Sequence, residues 1–110
     1  MLPHVRTHST RGLYARVYPG AIAHNLAQLR TKLSGWTAPR IWAAVKADAY
    51  GHGIERVLPG LLGADGLAVL YLREAEICHA AGWRGPVLVY GRLFAAAETR
   101  CGLTPVWWTL

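Results

Sequence analysis

No stretch of this sequence approaches the ~18 to 20 continuous apolar residues that a membrane span requires. A membrane partner is therefore not expected. Acidic residues are scarce, six against twelve Lys and Arg, which leaves a net charge of +6. That surplus invites a nucleic-acid reading, but the basic residues are scattered from Arg6 to Arg100 with no run and no interleaved aromatic platform. They read as solvated faces, and no nucleic-acid partner is expected. The chain has two cysteines, Cys78 and Cys101, each alone in an expected helix. They lack the close pairing of a metal site, so no metal is expected, and a cytosolic chain keeps such thiols reduced. Both read as small buried or half-buried side chains. Cys78 stands beside His79, yet adjacent residues on a helix diverge by about 100°, which argues against a nucleophile and base pair. Met1 to Gly12 has no apolar central segment of the kind a signal peptide carries, and the cytoplasm is the expected compartment.

What is present is apolar material: 53% of the 110 residues are hydrophobic and only 16% charged, which is well outside the disordered class. The length suits one small domain or a piece of a larger one. Residues 1–12 carry little pattern and read as a flexible lead. From Leu13, the alternation of Tyr14, Arg16 and Tyr18 with Ala15 and Val17 predicts a strand with one wet face. Ile22, Leu26, Leu29 and Leu33 then form a helical stripe, with Gly35 placed to stop it. His24 and Asn25 have little to support a role in a site. Ile54, Val57, Leu58, Leu61 and Leu62 repeat the helical spacing, but Pro59 and Gly60 predict a kinked or broken helix. Ala64 to Gly66 reads as a turn, Leu67–Leu70 as a short buried strand, and Leu72–Ala81 as a helix closed by Gly82. Val87–Tyr90 is the next strand, Leu93–Arg100 a further helix, and Leu103–Trp108 a last strand. This alternation specifies a parallel sheet, an α/β fold, with no repeat or linker dividing it.

The chain is organised around Arg40–Gly53, RIWAAVKADAYGHG. Ile41 to Val45 suits a strand buried on both faces. Lys46 follows it directly, and a buried ammonium is costly unless it is paired, sits at the mouth of the sheet or is chemically converted. Parallel α/β folds build ligand sites at the carboxyl ends of their strands. Tyr50 and His52 add polar rings there, while Gly51 and Gly53 free the backbone to turn. Asp48 is a strand-end carboxylate that can pair with an arginine or cap a helix, and it stays outside the proposed site. His52 reads as stabilising the turn through hydrogen bonds.

Lys46–Gly53, KADAYGHG, resembles the pyridoxal-phosphate lysine motif of the alanine racemase family, whose usual form is close to AVVKANAYGHG. Here Ala44 replaces a valine and Asp48 replaces the asparagine. The GADGLAV run before Leu70 and the strand ending at Tyr90 and Gly91 also resemble the family. The resemblance implies a TIM-type (β/α)8 barrel, of which this chain is the N-terminal part with about four parallel strands. Residues 13–110 would be a partial barrel domain that stops before completion, since such a barrel typically takes about 250 residues.

The resemblance also implies a function. Lys46 would carry pyridoxal 5'-phosphate as an imine and serve as one of two bases that interconvert L-alanine and D-alanine, supplying D-alanine for peptidoglycan. Tyr50 resembles the tyrosine whose hydroxyl reaches the cofactor phosphate. Tyr90 aligns with a position near the cofactor that is usually apolar. The opposing tyrosine, the arginine at the pyridine nitrogen and further phosphate ligands belong to later segments and to the other subunit of a homodimer. The isolated chain is therefore expected to have little or no racemase activity. Two other readings remain: a non-catalytic pyridoxal-phosphate-binding barrel protein, whose relatives usually lack the YGHG, and a non-functional gene fragment with exposed strand edges.

Overall fold

The computed structural model describes residues 7–10, 12–91 and 103–105. Two antiparallel strands, β1 (Thr7–Thr10) and β2 (Leu13–Arg16), open the chain. Thr7–Thr10 lies within the stretch read as a lead without pattern, and its strand character comes from pairing with β2 through the tight turn at Gly12. Helix α1 (Pro19–Lys32) follows, starting with Pro19 in its first turn, where the missing N–H costs nothing. It ends at a cap on Leu33 rather than at Gly35, and the last turn is closed by the Leu33 N–H on the Leu29 and Arg30 carbonyls.

The main sheet has four parallel strands in sequential order: β3 (Trp42–Ala44), β4 (Gly66–Val69), β5 (Val87–Val89) and β6 (Leu103–Pro105). Between them stand a short turn of helix, α2 (Lys46–Tyr50), then α3 (Ile54–Val57) with a 3-10 turn over Leu58–Gly60, and α4 (Leu72–Ala80). The break after Val57 is the one that Pro59 and Gly60 predict. Helix α4 ends as Gly82 foretells: this residue takes a left-handed φ of +106°, and the Trp83 N–H reaches back to the Cys78 carbonyl. The helix expected over Leu93–Arg100 lies outside the described residues, as do Cys101, Trp107 and Trp108.

One face of this sheet makes the core. Leu67, Val69, Val87 and Val89 are fully buried, joined by Val45 and covered by Ile54, Val57, Leu58, Ala75 and Cys78 from the helical layer. The other face carries Trp42 and Ala44 on β3, in register with Gly66 and Ala68 on β4. The expectation that the lysine strand is buried on both faces is corrected here: Val45 is buried, but Trp42 is 36% exposed and Ala44 is exposed. The helices lie on the Val45 side, and alternation turns the Trp42 side away from them. Trp42 lies across β4 against Gly66, where a Cβ would overlap its ring. Asp65 ties the layers together, because its Oδ2 accepts the Ile41 N–H at 2.7 Å and the Arg30 guanidinium of α1 at 2.9 Å.

Candidate active site at the carboxyl end of the sheet

Lys46 follows β3 at the carboxyl edge of the sheet, half-buried. The ladder runs one residue past each strand, with the Val45 N–H on the Ala68 carbonyl and the Tyr90 N–H on the Val69 carbonyl. Alternation puts Tyr90 in line with Leu88, on the open face, and Lys46, which follows Val45 out of the extended conformation at ψ 22°, turns its side chain toward that ring. The geometry agrees: the Lys46 Nζ lies 5.9 Å from the centroid of the Tyr90 ring. Among the described residues no carboxylate lies within salt-bridge distance of this ammonium. Two residues 44 positions apart in the chain are thus brought together by the pairing of β3, β4 and β5.

The backbone after Lys46 is the feature that residue patterns did not disclose. Ala47, Asp48, Ala49 and Tyr50 all take left-handed conformations, with φ of 53°, 53°, 55° and 57°. For residues with a Cβ, each such conformation costs about 1–2 kcal/mol, and only glycine and occasionally Asn or Asp adopt it readily. A full turn persists because the surroundings hold it. The Ala49 N–H bonds to the Val45 carbonyl at 2.9 Å, the Gly51 N–H to Ala47 at 3.0 Å and the Gly53 N–H to Asp48 at 2.8 Å. Ala49 is buried, and Gly51 continues the left-handed run with φ +86°. His52 Nδ1 lies 2.9 Å from the Ala49 carbonyl, which makes it the protonated nitrogen, and the ring braces the turn as the sequence suggests. Asp48 caps α3 instead of pairing with an arginine: its Oδ1 accepts the Ile54 N–H at 2.9 Å.

Tyr50 stands at the end of this turn, 59% exposed. A cavity of about 480 Å³ borders Lys46 on another side, between the Lys46–Asp48 backbone and the start of α4. Ile54, Leu70 and Ile77 line it, with Arg73 and Glu74 at its polar part, while Tyr50 and Tyr90 do not line it. Lys46 therefore borders two spaces, the cavity and the open sheet face that holds Tyr90. Glu74 spends one carboxylate oxygen on the α4 N-terminus, where Oε1 accepts the Leu70 and Tyr71 N–H groups at 3.1 and 3.0 Å. Neither Arg73 nor Glu74 was singled out for a site from sequence, because a charge in the first turn of a helix reads as a solvated cap. Cys78 is sealed in the core, and burial, reinforced by the Glu74 charge, pushes its thiol up to about 11.

Comparison with known proteins agrees with this geometry. The family model for the alanine racemase N-terminal domain matches residues 17–109. Alanine racemase from Leptothrix cholodnii is 48% identical over 98 residues, 88% of this chain and 25% of the relative. That from Variovorax paradoxus is 48% identical over 101 residues, 91% of this chain and 27% of the relative. Among solved structures, alanine racemase from Bacillus anthracis with bound L-Ala-P superposes with a TM-score of 0.72 at 25% identity, over 97% of this chain and 26% of that one. Alanine racemase from Corynebacterium glutamicum gives 0.69 at 27% identity, over 94% of this chain and 29% of that one. The chain spans about a quarter of the length of the curated relatives it matches. A lysine at the carboxyl end of a parallel sheet, the turn that follows it and a match over most of the chain lead to one conclusion: this chain belongs to the alanine racemase family, through that family's N-terminal barrel domain.

Proposed function

We propose that this chain supplies the lysine-bearing part of a pyridoxal-phosphate-dependent alanine racemase, the activity carried by its relatives' names. The observation that supports it is the placement of Lys46: a primary amine at the strand end, half-buried, with an aromatic ring on its open side. This donor set fits an aromatic aldehyde cofactor. An amine condenses with an aldehyde with loss of water, and a ring face suits a flat heteroaromatic neighbour. Pyridoxal phosphate, when bound, supplies the electron sink that makes the α-proton of an amino acid acidic.

Lys46 would hold the cofactor through Nζ, and, once released by the substrate amine taking its place, the same nitrogen would serve as the base for the α-proton on its side of the substrate. Tyr50 would offer its hydroxyl to the phosphate from the turn, and Tyr90 would wall the open face. His52 and Asp48 do not touch the reacting atoms. They hold the turn that fixes where Lys46 emerges. Racemisation needs a second base on the opposite side of the substrate, which the family resemblance assigns to the C-terminal part of a partner subunit. By itself the 110-residue chain is proposed to be inactive or nearly so, with the intact racemase a cytoplasmic homodimer that makes D-alanine for peptidoglycan.

The test uses the purified chain. Pyridoxal phosphate should give a yellow absorbance that borohydride reduction fixes as a mass increment on the peptide containing Lys46. Lys46→Ala should abolish both. Reduction that labels Lys32 and Lys46 equally would overturn the assignment of Lys46, and measurable turnover of L-alanine by the chain alone would overturn its proposed inactivity.

A further inference from the structure

The chain has two lysines, Lys32 and Lys46. Lys32 lies in the exposed last turn of α1. Lys46 has two places to put its ammonium. One is the cavity side, where the carboxylate of Glu74 stands at the start of α4 and its Oε2 is buried with no hydrogen-bond partner. The other is the open sheet face, where Tyr90 presents its ring. A carboxylate is the stronger partner for a free ammonium. The structure nonetheless seats Nζ over Tyr90, at 5.9 Å from the ring centroid, within the range at which the electron-rich face of an aromatic ring attracts a cation.

We propose that Tyr90 is a positioning residue: its ring face is the resting seat of the Lys46 side chain, and it keeps the amine on the open face of the sheet and away from the Glu74 carboxylate. Three observations support this. The ladder's last hydrogen bonds, at Val45 and Tyr90, bring Tyr90 beside the residue that follows Val45, and the Lys46 Nζ lies over its ring. Glu74 is anchored to α4 through Oε1, which accepts two backbone N–H groups, so an ion pair would require the lysine to come to it. Finally, the left-handed turn fixes the direction in which the chain leaves Lys46, so that the long flexible stem alone chooses between the two sides. A contact of this kind biases the choice by about two- to fivefold. An aliphatic side chain at position 90 would keep an apolar contact without the attraction. The role assigned to the seat rests on the reading of Lys46 as the cofactor lysine, but the seat itself does not.

The experiment therefore has one arm without cofactor. In the 110-residue chain with 13C-labelled lysine, ring current should move the Lys46 ε-methylene signals upfield of those of Lys32, with no aldehyde present. Lys46→Arg identifies the signal. Tyr90→Phe should keep the shift, because the ring remains, and Tyr90→Leu should abolish it, while Glu74→Gln should leave it unchanged. Coincident Lys46 and Lys32 signals in the unaltered chain would overturn the proposal whether or not any variant folds. So would a shift that survives in Tyr90→Leu or moves in Glu74→Gln.

The second arm reacts the chain with limiting pyridoxal and borohydride, and reads the ratio of labelled Lys46 to labelled Lys32 by peptide mass spectrometry. Tyr90→Leu should lower that ratio about two- to fivefold, and Tyr90→Phe should restore it. A ratio that is unchanged or raised in Tyr90→Leu would overturn the positioning role, a rise meaning that the ring holds the amine away from carbonyls. A chain that shows the upfield signal but gives no yellow species with pyridoxal phosphate would defeat the cofactor reading alone.

Discussion

The Asp48 carboxylate accepts the N–H of Ile54, six residues ahead, at 2.9 Å, and so closes the left-handed turn onto the helix that follows it. The bond stabilises the helix start and fixes a backbone conformation that Ala47, Ala49 and Tyr50 would not adopt alone. Asp48→Ala should cost about 0.5–2 kcal/mol in urea unfolding, the usual range for loss of a cap. Asp48→Asn should stay close to the parent, since an amide oxygen accepts the same N–H. Equal stability of the alanine variant would show that the turn is held elsewhere.

Gly66 leaves room for the Trp42 indole on the neighbouring strand, where a Cβ would overlap the ring. Gly66→Ala is expected to destabilise by about 1–3 kcal/mol through overpacking. Trp42→Ala in the same chain should remove most of that penalty, because the two residues share one volume and their effects are coupled. Thermal unfolding of the two single variants and the double variant measures the coupling. Additive effects would mean that the clash is relieved some other way.

Asp65 has its carboxyl held below the ordinary value of 3.8, first by the Ile41 N–H and then by the Arg30 guanidinium. A depressed folded value means that the unfolded chain binds the proton more readily, so the stabilisation is present above the unfolded pKa and fades as pH falls through the folded one. The parent should therefore lose stability on acidification below about pH 4, and Asp65→Asn should lose less over that window. Urea midpoints measured down the pH scale test this, and parallel curves for the two chains would refute it.

Cys78 is buried and its thiol is pushed up to about 11. At pH 8 the folded chain should protect the Cys78 peptide from alkylation by iodoacetamide, and denaturant should release it. Mass spectrometry of the digested chain reads this directly. Rapid labelling of Cys78 under native conditions would contradict the packing of α4 against the sheet.

Much of the fold was legible because its signals are local. Pro59 and Gly60 break the helix after Val57 through a missing N–H and backbone freedom, and Gly82 ends α4 by adopting a left-handed φ. Alternating strands and helices of these lengths dictate a parallel sheet, which β3 to β6 form. Local signals also misled. Ile41–Val45 is apolar throughout and reads as buried on both sides, yet only one side meets helices. Thr7–Thr10 carries no pattern and is a strand because Leu13–Arg16 pairs with it.

The sequence by itself determined that Lys46 follows a strand, that glycines turn the chain after it and that KADAYGHG resembles the lysine motif of the alanine racemase family, since each depends on residues close together in the chain. Only the tertiary structure decided that Tyr90 faces Lys46, that Glu74 stands across a cavity from it and that four residues wind left-handed to aim it. Those relationships depend on strand register and on hydrogen bonds closed across the fold, and neither is written in the spacing of any one segment.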